Sequence, residues 1–309
     1  MGQPEVGEVI VVEDGGEDGA DSLCRTFEKR WPGRFRWVGH HVGEAVGAGM
    51  SRNEGIRIAR FVWIAFLDAD DRYLPDRFAE DVRVLAADPS LDGVYDALGA
   101  ETLDDDGKSS SESHAKGGPR FGIAPGRMTT LRRRCAPEDL LSHLNPIGMD
   151  GAFTTDTILL HRRVFEKTGT LFGKRKVGED TLLWLQMATV CRLAPASIDR
   201  PVAMRGLHEV NRARVLKTSR ESALEVLEEF LAWACNRGLS EDVAPLVDVA
   251  RLHFCVDWAG VGRVFQHRPR LWITPRAWTA VIRWALVRQF PDDPVLPGFF
   301  PSLRRKNPS

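Results

Sequence analysis

The chain has 309 residues, 43% hydrophobic and 28% charged, with a formal net charge of −1. This is an ordinary globular composition with room for one large core or two domains, and its overall balance argues against a nucleic-acid or membrane partner. No apolar run approaches the roughly 20 residues that span a bilayer, and the N-terminus lacks the basic-then-apolar order of a signal peptide. The charge is unevenly spread. Residues 1–110 hold 12 Lys+Arg against 23 Asp+Glu, and residues 251–309 hold 10 against 3. The acidic half suits a cation; the basic end suits an acidic surface. Five cysteines (Cys24, Cys135, Cys191, Cys235, Cys255), odd in number and without metal-type spacing, read as reduced thiols of a cytoplasmic protein.

In chain order, residues 9–12 form a short β-branched run closed by Glu13-Asp14-Gly15-Gly16, which predicts a buried strand entering a turn. Residues 18–31 have helical spacing and stop at Pro32-Gly33, and residues 35–38 read as a second strand. A glycine-rich loop with Gly43, Gly47 and Gly49 precedes a helix over 51–60 capped by Ser51. Residues 61–67 then predict a fully buried strand, ending abruptly in Asp68, Asp70 and Asp71. Strands alternating with helices imply a mostly parallel sheet flanked by helices, in which ligands bind beyond the carboxyl ends of the strands. Two strands ending in acids should therefore place both acid clusters on one edge.

Residues 92–103 predict a further strand, with a turn at Asp104-Asp105-Asp106-Gly107 and a polar loop over 108–126. A short helix over 137–144, a strand over 156–160 and a helix over 162–168 follow. Gly178-Glu179-Asp180 opens a helix reaching about residue 190, and residues 201–207 form the last strand, followed by His208. From about residue 217 the pattern is all helical: a capping box at Thr218–Glu221, a second helix from Ser240 through 258, and a third over 276–290 started by Thr274-Pro275.

Asp-x-Asp at a strand end suits a hard cation such as Mg²⁺ or Mn²⁺, which is held by one or two carboxylates while phosphates and waters complete its shell. Four stretches in order carry more than that motif. EVIVVEDGGEDG, SRNEGIRIARFVWIAFLDADDRYLPDRF, VGEDTLLWLQMA and RGLHEVNRAR together resemble a family 2 glycosyltransferase of the GT-A fold, over roughly residues 5–214. The resemblance implies an inverting, nucleotide-sugar-dependent transferase, with a GT-A-like domain over residues 1–215 and a helical C-terminal region over 216–309. It implies that Asp14, with Glu13 beside it, meets the nucleotide base and that Arg52 lies near it. Asp68 and Asp70 would face the ribose and a metal-bound diphosphate, with Asp70 the principal ligand of Mn²⁺ or Mg²⁺. Asp180 would be the general base with Glu179 adjacent, and His208 would complete the metal shell or touch phosphate. The donor would be UDP-, GDP- or dTDP-linked, and the acceptor a glycan, lipid-linked or small-molecule hydroxyl.

The sequence departs from the family pattern at Gly16, where Ser is common, and at Thr181, where Trp is frequent. The family's first strand is absent ahead of Met1, which predicts an unpaired edge beside residues 9–12. Trp184 reads as core packing. Arg132-Arg133-Arg134 reads as a solvated run, with contact to the acceptor or phosphate as the alternative. Trp272, Trp278 and Trp284, interleaved with Arg263, Arg268, Arg270, Arg276, Arg283 and Arg288, read first as packing on the catalytic domain; contact with the anionic inner face of a membrane is the alternative. The rival functions are a non-catalytic nucleotide-sugar-binding module and a GT-A-like nucleotidyltransferase.

Overall fold

The structure, a computed structural model, describes residues 3–16, 19–39, 45–102, 131, 134–148, 150–175, 178–207, 216–254 and 258–289. Strand β1 (Val9–Glu13) leads through helix α1 (Ala20–Arg30) to β2 (Phe35–Gly39), and the strands pair in parallel with Val9 opposite Phe35. Helix α2 (Ala48–Ile58) precedes β3 (Trp63–Ala65) and β4 (Asp71–Tyr73). Next come α3 (Ala79–Ala87), β5 (Gly93–Tyr95), β6 (Ala97–Thr102), α4 (Leu140–His143), β7 (Ile158–His161), α5 (Arg163–Thr168) and α6 (Glu179–Val190). Strands β8 (Leu193–Pro195) and β9 (Pro201–Leu207) complete the α/β part. The C-terminal helices are α7 (Leu216–Asn236), α8 (Ser240–His253), α9 (Trp258–His267) and, after a 3₁₀ turn over Pro269–Ile273, α10 (Pro275–Gln289).

The described strands form three sheets: β1-β2, β3-β7-β5-β8 and β4-β9-β6. The α/β class stands, with a more mixed set of ladders than alternation of elements predicted. Pairs β1-β2, β5-β8 and β6-β9 are parallel; β3-β7, β5-β7 and β4-β9 are antiparallel. The reason is local. The expected single strand over 92–103 divides at Asp96, whose N–H bonds Thr157 O while its carboxylate binds Ser197 N–H and Arg77, so β5 and β6 join different sheets.

The run over 61–67 is shorter and wetter than expected. Only Trp63–Ala65 is strand, and Phe61, Val62, Trp63 and Leu67 are exposed. The cause is position: among the described residues β3 pairs only with β7 and β1 only with β2. Residues 3–8 approach this region through side chains. Glu8 Oε1 accepts the N–H of Arg60 at 2.6 Å, Gln3 bonds Leu74 O and Arg77 N–H, and Gly7 lies against the Phe61 ring, where a Cβ would come within 2.7 Å.

The main core joins the sheet to the C-terminal helices. Trp184 of α6 is fully buried, with its ring centroid 5.4 Å from that of Phe153 and 5.8 Å from that of Phe172. Val226, Leu227, Phe230, Ala234, Val243 and Val247 of α7 and α8 belong to the same cluster. A separate small core, Leu252, Val261, Phe265, Leu271, Ala277, Ala280 and Val281, holds α9 and α10. The helix expected from Ser240 through 258 ends at His253, and α9, which the pattern did not predict, begins at Trp258. The helix expected from Thr218 begins earlier, at Leu216. His208, the loop over 108–126, Arg132 and Arg133 lie outside the described residues.

Candidate active site

The acids after β3 are placed by register. Strand β7 runs antiparallel to β3 with Ile64 opposite Leu160 and Ala65 opposite Leu159. Continued three residues, that register sets Asp156 opposite Asp68, and Asp156 Oδ1 accepts the backbone N–H of Asp68 at 2.8 Å. Asp71 opens β4 opposite Arg205 of β9, and its Oδ1 accepts the N–H of Gly206 at 3.0 Å. Carboxylate oxygens of Asp68, Asp71 and Asp156 lie within 4.8 Å of one another. The side chains of Asp71 and Asp156 are buried, and the Oδ2 atom of each has no hydrogen-bond partner. Burial, then the charges of Asp68 and Asp71, push the Asp156 carboxyl up to about 8, and burial raises Asp71 as well. A buried carboxyl pair of this kind holds either a shared proton or a cation.

The expected pair was Asp68 and Asp70. The structure groups Asp68 with Asp71 and Asp156, while Asp70 is exposed in the turn before β4. Asp68 is partly open to solvent. The carboxylates a solvent-borne ligand reaches are therefore Asp68 and Asp70, with Asp71 and Asp156 beneath them. Three clustered carboxylates, two of them with a buried oxygen that lacks a hydrogen-bond partner, fit a hard divalent cation.

Helix α2 connects this cluster to the Glu179-Asp180 segment. It begins at Ala48, ahead of the expected Ser51 cap, because Gly47 (φ 92°) supplies the turn and the Ser51 hydroxyl bonds back to Gly47 O. Asn53, buried, donates to Phe172 O at 2.8 Å and accepts from Phe172 N–H at 3.0 Å. Gly49 permits the close approach: a Cβ there would stand 2.7 Å from Gly173 O. The chain from Phe172 then turns at Gly178 (φ 82°) into α6. Docked in this way, α2 points Arg52 at both acid groups. Its Nη2 lies 2.6 Å from Asp68 Oδ1 and its Nη1 3.2 Å from Glu179 Oε1. Burial and the neighbouring Asp180 raise Glu179, and Arg52 opposes them. Asp180 Oδ1 accepts from Thr181 N–H at 2.6 Å and from the Thr181 hydroxyl at 3.2 Å.

Asp14 stands at the end of β1, where Oδ1 accepts the N–H of Val46 at 2.7 Å and Oδ2 that of Gly47 at 2.9 Å. It thus binds the backbone that starts α2; Glu13, beside it, pairs with Gly39 as the last residue of β1. Arg134 is used structurally, by Pro195 O, Ala196 O and Asp199. Sequence reasoning missed Asp156 and Asn53. Asp156 carried one signal, an acid immediately before the apolar run ILL, but nothing that tied it to Asp68.

The fold and its acid-lined strand end define a GT-A-class α/β protein, and solved structures agree. The chain is similar to residues 1–349 of Staphylococcus aureus TarS in complex with UDP, with a TM-score of 0.52 and 15% identity, covering 98% of this chain and 81% of that one. It is similar to the same protein in complex with UDP-GlcNAc, with a TM-score of 0.50 and 14% identity, covering 93% and 85%. At such identities the likeness is one of fold. In sequence, residues 3–137 match the model for Glycosyl transferase family 2. Over 85 residues the chain is 32% identical to the uncharacterized glycosyltransferase YibD of Escherichia coli, 28% of this chain and 23% of that protein. Over 80 residues it is 34% identical to the succinoglycan biosynthesis protein ExoU of Rhizobium meliloti, 26% and 22%. The chain matches less than a quarter of the length of these curated relatives. The family match is confined to residues 3–137, less than half of the chain.

Proposed function

We propose that the chain transfers a sugar from a UDP-, GDP- or dTDP-linked donor to an acceptor hydroxyl with inversion. The carrying observation is the Arg52 bridge, which brings the strand-end acid Asp68 and the Glu179-Asp180 helix start into one site. One group suits the donor diphosphate and the other the acceptor. The UDP and UDP-GlcNAc complexes of TarS support a nucleotide-sugar donor.

In this reading Asp180 takes the proton of the acceptor hydroxyl as its oxygen attacks the anomeric carbon, and the nucleoside diphosphate departs from the opposite face. Glu179 and Arg52 fix the position of that helix start. Asp68 and Asp70 would hold Mn²⁺ or Mg²⁺, with Asp71 and Asp156 behind them and His208 as a further ligand. Such an ion would supply Lewis-acid stabilisation of the departing diphosphate. Glu13 and Asp14 form the base-side edge of the donor site. We assign catalysis to residues 1–215, supported by the helices from 216 onward. The compartment is read as cytoplasmic, consistent with free thiols at Cys24, Cys135, Cys191 and Cys235.

The test is incubation of the full chain with each nucleotide sugar and Mn²⁺, following release of the nucleoside diphosphate. Metal-dependent release supports the enzyme. Saturable nucleotide binding without release above background overturns it in favour of a binding module.

A further inference from the structure

The C-terminal helices carry an apolar surface that their own core does not use. On α10, Ala277, Ala280 and Val281 face inward, while Trp278 and Ile282, one turn apart, are 39% and 55% exposed. In the preceding 3₁₀ turn Leu271 is buried, whereas Trp272 is 57% and Ile273 85% exposed. The rings of Trp272 and Trp278 meet at a tilt of 56° with 5.5 Å between centroids, and Trp278 Nε1 donates to Trp272 O. The ring of Phe265 supports both at 4.8 and 5.3 Å. The result is a rigid aromatic and aliphatic projection. An apolar patch that continues beside a buried helix stripe and stays exposed marks a surface that meets something else.

Charge decides what that is. Residues 258–289 contain six arginines and no Asp or Glu. Arg263, Arg270 and Arg276 are exposed on the elements that carry the patch, while Arg268 is held by Asp248. In a 3₁₀ turn residues three apart eclipse, so Arg270 and Ile273 share one side. Tryptophan with exposed Ile and a cationic rim is the composition of a bilayer interface, where indoles sit at the headgroup level and arginines meet lipid phosphates. A symmetric dimer through the same face would set arginine against arginine. Among the described residues no helix is long and apolar enough to cross a membrane, so contact here lies on the surface.

We propose that Trp272, Ile273, Trp278 and Ile282, with Arg263, Arg270 and Arg276, form a peripheral docking surface for an anionic lipid bilayer. The inference stands apart from the proposed activity, since its readout is binding alone. The full chain is sedimented with vesicles of phosphatidylcholine, with and without added phosphatidylglycerol, at low and high salt. The expected result is partitioning that needs phosphatidylglycerol and weakens with salt. Ile273→Glu should reduce it by roughly tenfold or more. Arg270→Ala combined with Arg276→Ala should reduce it by roughly tenfold or more as well, at about one kcal/mol per basic residue near the surface. Thermal unfolding of each variant, compared with the parent, establishes that the fold is retained; both sites are exposed. No partitioning, or equal partitioning on vesicles lacking phosphatidylglycerol, overturns the proposal. So does a concentration-dependent dimer that Ile273→Glu abolishes, which would assign the patch to a second copy of the chain.

Discussion

The guanidinium of Arg52 lies 3.2 Å from Glu179 Oε1 although 127 positions separate the two residues. The same guanidinium holds Asp68 at 2.6 Å. One side chain therefore spans the strand-end acids and the helix that presents Asp180. Its half-buried setting strengthens both contacts relative to a surface pair.

Asp70 is expected to matter for ligand binding and little for folding, because it is exposed. Asp70→Ala should abolish Mn²⁺-dependent binding of UDP or GDP while thermal unfolding of the ligand-free chain stays within about 0.5 kcal/mol of the parent. Titration calorimetry with and without Mn²⁺ is the measurement. Unchanged nucleotide affinity would remove Asp70 from the metal site.

Asp180→Asn keeps the shape of the side chain and removes its ability to accept a proton. The transfer rate should fall about 10²–10⁴-fold with nucleotide affinity nearly unchanged. Steady-state kinetics beside equilibrium binding separates the two. A variant transferring sugar at the parent rate would mean that a different group is the base.

Asn53→Ala removes both partners of the buried Phe172 backbone. Two buried groups left unpaired at about 1–3 kcal/mol each predict a loss of about 2–6 kcal/mol, read from urea unfolding. Because the same bonds dock α2, activity should drop together with stability, and Asn53→Asp should restore at most the bond to Phe172 N–H. A variant as stable as the parent would show that the docking of α2 rests elsewhere.

Asp96 gives a pH signature away from the site. Burial pushes its carboxyl up to about 7, with Arg77 opposing and Asp81 adding to the rise. The folded state then holds a proton that the unfolded chain, with an ordinary carboxyl near 4, has released. The stability it contributes is complete below about pH 4 and is lost as pH rises towards 7. Asp96→Asn carries no such proton, so its unfolding free energy should decline less steeply than the parent's between those limits. Parallel slopes in urea titrations across that range would show Asp96 ionised throughout.

Much of this was legible because it is local. The acid ends of β1 and β3, the glycine turns at Gly47 and Gly178, and the order of the four motifs are properties of short segments, whose backbone preferences and strand-end positions follow from neighbouring residues. Trp184 was expected to pack in the core, and it is buried. What tertiary structure alone decided depends on register between distant segments. Asp156 reaches Asp68 because β7 lies antiparallel to β3 in a particular register; a shift of one residue would turn it to the other face. Asp71 is buried and Asp70 exposed because β4 begins between them and pairs with β9. The strand over 61–67 is apolar in sequence and yet half exposed, because burial belongs to what stands beside a strand. The sequence by itself determined that acids would stand at the ends of two strands and at the start of one helix; only long-range pairing decided which carboxylates cluster, which meet solvent and which arginine joins them.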